Sequence, residues 1–287
     1  MISFSVVTPS YNYGRFLVDA LESVRQQRDI ADVEHVVVDG KSTDDTVEVL
    51  RAAPGNVRWV SEPDDGQTDA LNKGFAMAAG DWVGWLNADE FYLPHTLASV
   101  AAAVEASPDL DVIYADGLFT DETGHAQKLF TARPYSRRMM RWLGPYPLTC
   151  TCFFRRELLV QHPMDTSLRL MMDFDLFLKL GDAGARWAYL PLPLGAFRLH
   201  EAQATTTPRP AFVDEAYRIR GRWIIPWEHI RVPFQAVNRL QEMASGAVSR
   251  AKRFAADHTG DDLNWWRDPD VEASVAQLER EFDARRR

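Results

Sequence analysis

Apolar and polar positions follow two rhythms along the first third of the chain. Short runs rich in β-branched residues at Ile2–Thr8, Glu34–Asp39, Val57–Val60 and Trp82–Leu86 read as strands. Between them lie stretches of helical period. Arg15–Gln27 puts Phe16, Ala20, Leu21 and Val24 on one face. A second helix is opened by Ser42 or Thr43, with Asp44 and Asp45 as first-turn acids. A third, Gln67–Ala79, turns Leu71, Phe75 and Ala78 inward and stops at Gly80. The order βαβαβαβ predicts a parallel sheet with helices on both faces.

The middle of the chain is less periodic. Val112–Ala115 and Leu129–Thr131 read as strands around a turn at Asp121–Gly124, and Thr149–Phe154 as a strand leading into a helix from Arg155. Asp173–Leu180 reads as a helix, and Trp187–Leu190 and Ala196–Leu199 as the last strands. After about Thr207 strand signals give way to helices. The expected architecture is α/β: a Rossmann-like, mostly parallel sheet in residues 1–207, with a helical appendage at 208–287. The sheet domain divides at about residue 90 into two halves, 1–90 and 91–207.

Composition narrows the function. The 287 residues carry 41 acids against 32 Lys and Arg, a net charge of −9, which argues against nucleic acid as partner. No apolar run reaches the roughly 20 residues of a membrane span. Met1–Thr8 has no basic leader, so a secretory signal is not expected. The two cysteines, Cys150 and Cys152, form no metal pattern and suit a reduced cytoplasm. Charge is unevenly distributed: residues 39–90 hold eleven acids and four bases, while residues 215–253 hold eight bases and three acids.

In open α/β sheets ligands bind beyond the carboxyl ends of the strands. The residues there are Thr8–Asn12, Asp39, Glu62–Asp64 and Asn87–Glu90, four polar strand ends on one rim. Singly, each reads equally well as a turn or a helix cap. The rim has neither GxGxxG nor GxxxxGK[ST], so a phosphate there calls for a divalent cation rather than a glycine cradle.

The strings SVVTPSYNYGRFL, VVDGKSTDDT, SEPDDGQTDALNKGFAMAAGDWVGWLNADE, MDFDLFLKL and FRLH, in this order over roughly residues 1–200, resemble the inverting family 2 glycosyltransferases of GT-A fold. The resemblance implies that Thr8, Pro9, Tyr11 and Asp39 surround the nucleotide base. It implies that Asp64, Gln67 and Asn72, with Asp69 and Lys73 in support, stand beside the ribose and diphosphate. Asn87-Ala88-Asp89 falls on the family's Asp-x-Asp position. Asn replaces the first acid, leaving Asp89 as the expected ligand for Mg2+ or Mn2+, with Glu90 in support. Asp173 falls on the catalytic base and Asp175 on a second acid, although the pair also reads as an N-cap and a first-turn acid. Met172 stands where many relatives have Glu. His200 falls on a metal or diphosphate contact, with Arg198 beside it.

These matches imply a transferase using a nucleotide-diphosphate sugar, UDP favoured, and a saccharide or lipid-linked saccharide acceptor in surface polysaccharide synthesis. The competing reading is a non-catalytic nucleotide-sugar binder or scaffold. The basic, Trp-bearing stretch 215–253 reads either as a peripheral membrane contact at the inner face of the cell membrane or as a helix packed on the domain. The last helix, with Val271, Val275, Leu278 and Phe282, docks in cis or pairs with a second subunit as a homodimer contact.

Overall fold

A computed structural model describes residues 2–29, 31–55, 57–203 and 209–220. The first half follows the alternation: β1 (Ser3–Ser10), α1 (Gly14–Gln26), β2 (Asp32–Asp39), α2 (Thr46–Ala52), β3 (Val57–Ser61), α3 (Gln67–Met77) and β4 (Trp82–Trp85). β1 pairs in parallel with both β2 and β4, and β2 with β3. β1 and β2 are buried along nearly their whole length because both of their faces are covered. Val6 and Val37 face the core beneath α1, with Leu17, Ala20 and Val24. Their neighbours Val7 and Val36 face the core beneath α3, with Leu71 and Phe75. Gly80 seals the start of β4 against β1: a Cβ there would lie 2.5 Å from the Phe4 carbonyl carbon.

Beyond β4 the elements are β5 (Phe91–Tyr92), α4 (Thr96–Ala106), β6 (Val112–Thr120), β7 (Ala126–Phe130), α5 (Arg137–Leu143), β8 (Phe153–Arg155), α6 (Arg156–Gln161), α7 (Met172–Asp182), β9 (Trp187–Arg198) and α8 (Arg209–Arg220). The sheet runs β3-β2-β1-β4-β8-β6-β9-β5, with β7 paired to β6. β8 lies antiparallel to both β4 and β6, so the whole sheet is mixed and its parallel character is strongest in the N-terminal half.

The differences from the sequence reading have local causes. The two short strands expected at 187–199 are one strand, β9. Its Pro191 and Pro193 fall where the register with β6 slips, a bulge that needs no ladder N–H from either. Residues 149–151 form a 3-10 turn rather than the start of a strand, and β8 begins only at Phe153. α4 was not legible as a helix, because TLASVAAAVEA is apolar nearly all round and shows no polar face.

In the appendage, α8 packs on the sheet domain. Ile219 contacts the core beneath α3, and Arg218 donates to the Ser167 hydroxyl at 2.9 Å. The described part of the basic stretch therefore docks in cis. The remainder of that stretch, and the last helix expected to dock or dimerise, lie outside the described residues.

Candidate active site

Four strand ends and the N-terminus of α7 converge on a cavity of about 740 Å³. Of the residues singled out from sequence, Pro9, Tyr11, Asp64, Gln67, Asn87, Asp89 and Asp173 line it. Tyr11 is 58% exposed, its ring presented to solvent at the cavity mouth. The loop carrying it is pinned to the β2–α2 loop. Asn12, in left-handed backbone, receives Thr43 N–H at 2.8 Å and donates its own N–H to the Ser42 hydroxyl at 2.7 Å.

Thr8 and Asp39 lie behind the wall. The buried Thr8 hydroxyl meets His35 Nε2 at 2.8 Å, and burial pushes the His35 pKa down to about 3, keeping that ring neutral. Asp39 is fully buried, and its carboxylate accepts from the Ser61 hydroxyl at 2.6 Å, from the Ser42 N–H at 3.0 Å and from the Ser42 hydroxyl. It thus orders the Ser42 turn, which in turn holds Asn12.

Asp64 sits over Gly40, where a Cβ would fall 2.7 Å from its Oδ2. Asp64 Oδ1 accepts from Gly66 N–H at 2.8 Å, and Gly66, at φ +97°, caps α3 in a conformation that disfavours side chains. Farther along α3, Asn72 both donates to the Met164 carbonyl and accepts from its N–H, at 3.0 and 2.9 Å. Lys73 bridges Glu62 and Asp69 at 2.9 and 3.2 Å. None of Asn72, Asp69 and Lys73 lines the cavity. They brace its walls.

Asn87 Oδ1 receives two donors, the Trp85 indole N–H and the Gln67 amide, each at 2.8 Å. Its backbone N–H reaches the Glu90 carboxylate at 2.9 Å. Burial, and then the charge of Asp89, raise the Glu90 pKa well above the carboxylate range. Asp89 Oδ2 lies 2.9 Å from His200 Nε2. The His200 ring is held between Tyr13 and Phe16, at 5.5 and 4.6 Å between centroids. Arg198, almost wholly buried, pairs with Asp19 at 2.6 Å and donates to the carbonyls of Asp89 and Glu122. It holds the Asp89 loop from behind.

Asp173 opens α7. Its carboxylate accepts from Phe174 N–H at 2.7 Å, yet burial, reinforced by the charge of Glu215, raises its pKa to about 6. Asp175 pairs along its own helix with Lys179 at 2.7 Å.

The cavity also takes residues that the sequence reading passed over, among them Tyr13, Lys41, Arg169 and Gln203. Arg169 lies against the cap of α3; a Cβ on Gly66 would meet its Nη1 at 2.0 Å. Its one sequence signal was a cation just upstream of MMDFD.

Asp89 and His200 have the donor chemistry of divalent-cation ligands, although only Asp89 lines the cavity and His200 Nε2 faces its carboxylate. Among the described residues, no group of three or more His, Cys, Asp or Glu forms a protein-only cage.

A rim of this geometry on a sheet of this order has relatives. Residues 5–162 match the family described as Glycosyl transferase family 2. The chain belongs to glycosyl transferase family 2. An uncharacterized glycosyltransferase of Mycobacterium tuberculosis is 39% identical over 116 residues, covering 40% of this chain and 44% of that protein. The O-antigen biosynthesis protein RfbC of Myxococcus xanthus is 33% identical over 222 residues, covering 74% of this chain and 17% of that protein. The chain thus spans less than half the length of either relative. Among solved structures, glucosyl-3-phosphoglycerate synthase from Mycobacterium tuberculosis, in complex with Mn2+, UDP and phosphoglyceric acid, superposes with a TM-score of 0.57 at 19% identity. That likeness covers 77% of this chain and 79% of the synthase, and it shows the GT-A fold of the family 2 chain.

Proposed function

We propose that this family 2 chain is an inverting glycosyltransferase that moves a sugar from a nucleotide-diphosphate donor, UDP favoured, to a hydroxyl of a glycan or lipid-linked acceptor. One observation carries the reading. A carboxylate with its pKa raised to about 6, Asp173, shares a cavity with the strand-end residues Tyr11, Asp64, Gln67, Asn87 and Asp89. A base of that pKa is ionised at neutral pH and still basic enough to take a proton in the transition state.

In this reading the base stacks on Tyr11 beside Pro9, with Asp39 and Thr8 fixing the floor behind it. Gln67 and Asn87, already bonded to each other, face the ribose and diphosphate. Asp89 and His200 would hold a divalent cation, Mg2+ or Mn2+, which would supply positive charge against the departing diphosphate. Asp173 takes the acceptor hydroxyl's proton as that oxygen attacks the anomeric carbon from the face opposite the leaving nucleotide. Asp69, Lys73, Glu90, Asp175 and Arg198 keep these groups in place through the contacts described above. The relationship to an O-antigen biosynthesis protein supports surface polysaccharide as the product, and the UDP and Mn2+ bound by the solved synthase support the donor and the cation.

A screen of nucleotide sugars for hydrolysis and transfer, with and without Mn2+, tests the reading. Turnover is expected with a UDP-sugar, is expected to be lost on chelation, and is expected to fall about 10²–10⁴-fold in Asp173→Asn while UDP still binds. A wild-type chain that binds UDP but turns over no donor establishes the scaffold reading instead. The mutual pairing of Asp89 and His200, each already provided with a partner, is the observation that favours that alternative.

A further inference from the structure

Helix α7 begins without a cap of its own. Its N-cap residue is Met171, which offers no side-chain acceptor, although α7 carries the reacting carboxylate only two residues later. Helix N-termini leave N–H groups that need partners, and the residues just before Met172 add more. The acceptor comes from the appendage. Glu215 of α8, 8% exposed, takes Arg169 N–H on Oε1 at 2.8 Å and both Leu170 N–H and Met171 N–H on Oε2 at 2.9 Å. One carboxylate thus fastens three consecutive amides, and two of those residues, Arg169 and Leu170, form cavity wall. Arg218, one turn on, holds the same segment at Ser167.

We propose that Glu215 is a positioning residue for the transfer reaction: from outside the sheet domain it fixes the 169–171 segment and the first turn of α7, and so aims Asp173 at the acceptor hydroxyl. This rests on Asp173 being the base. The carboxylate does two things. It gives the three amides that lead into α7 a charge-assisted acceptor, the stronger kind of hydrogen bond. It also places a negative charge near Asp173, adding to the burial that keeps that carboxyl basic. The other ionisable groups around Asp173 are Cys152 from the turn before β8, Arg169 from the segment itself, and Tyr11, Tyr13, Lys41, Asp64 and Asp89 lining the same cavity. All of these are retained when Glu215 alone is changed.

The full chain carrying Glu215→Ala and, separately, Glu215→Gln tests the proposal. Glu215→Ala is expected to lower kcat at least tenfold while the KM for the donor and the affinity for UDP stay within about twofold. Its acidic limb in the pH profile of kcat is expected to move to lower pH. Amide exchange at residues 169–173 is expected to speed up at least tenfold, with residues 67–77 unchanged. Glu215→Gln fills the same volume and keeps one acceptor, so it serves if the alanine variant does not fold. It is expected to show the same limb shift with a smaller loss of kcat. Unchanged kcat in either folded variant, or unchanged amide protection at 169–171 in Glu215→Ala, overturns the proposal. A loss confined to donor KM does so too. The exchange readout needs no turnover, so it decides the role of Glu215 even if no transfer is found, an outcome that counts against the reading of function alone.

Discussion

Asp173 sits in a conflict that only function resolves. Its surroundings raise its pKa from 3.8 to about 6, so the fold favours the protonated form. The stabilising contribution of that proton is complete below about pH 4 and is lost as pH rises through 6. At pH 7.5 the ionised carboxylate costs stability, on the order of 1–3 kcal/mol for a shift of this size. Asp173→Asn is therefore expected to raise Tm by a few degrees at pH 7.5, with the gain about halved at pH 5 and gone near pH 3; calorimetry at the three pH values checks it. In the proposed reaction, with Asp173 as base, the same ionisation sets activity. Below about pH 6 the base is protonated, so kcat is expected to fall about tenfold per pH unit, an acidic limb absent from any residual rate of Asp173→Asn. At this scale much of the site was legible in the chain, because Tyr11, Asp64, Gln67, Asn87, Asp89 and Asp173 follow strand ends or open helices. Thr8 and Asp39 were legible as strand-end residues but not as buried ones. Their partners His35, Ser42 and Ser61 come from neighbouring elements that no local pattern names.

Among the elements, the parallel half could be read because each strand there is short, rich in β-branched and aromatic residues, and set off from the next by a helix. β9 was legible only as two separate ends and α4 not at all, for opposite reasons. Prolines interrupt the strand pattern of β9 while the bulge accommodates them, and α4 lacks the polar face that reveals a helix. The tightest approach to backbone in the parallel half is at Gly80, where a methyl group would meet Phe4 and Ser5 at 2.5 and 2.7 Å. Backbone does not yield as a side-chain tip does. Gly80→Ala is expected to force β1 and β4 apart and cost about 2–3 kcal/mol, read as a Tm lower by about 5–10 °C. A variant of unchanged Tm would mean that the β1–β4 contact is looser than described. Glu215 shows the complementary limit of sequence reading. It belongs to α8, yet its three partners belong to the approach to α7, some 45 residues upstream.

At the scale of the whole molecule, charge is segregated. The acidic segment 39–90 borders the cavity, and the basic stretch 215–253 begins on a helix whose described residues dock on the sheet domain. The bases beyond Arg220, with Trp223 and Trp227 among them, are expected to carry the chain to anionic vesicles, and binding is expected to weaken as salt rises. Flotation of the full chain against one ending at Arg220, which keeps α8 and Glu215, reads this directly. Equal flotation of the two removes the membrane contact. The topology has a consequence for synthesis on the ribosome. Strands β1 to β4 pair using residues 3–85 alone, so they can assemble as soon as they emerge. The far edge of β4, wholly buried in the finished protein, waits for β8 at Phe153–Arg155. At the usual pace of translation that delay is on the order of ten seconds. Throughout it the nascent chain bears an open strand edge on β4, which carries Trp82 and Trp85, a target for chaperone capture and a nucleus for aggregation in any fragment that ends before residue 153.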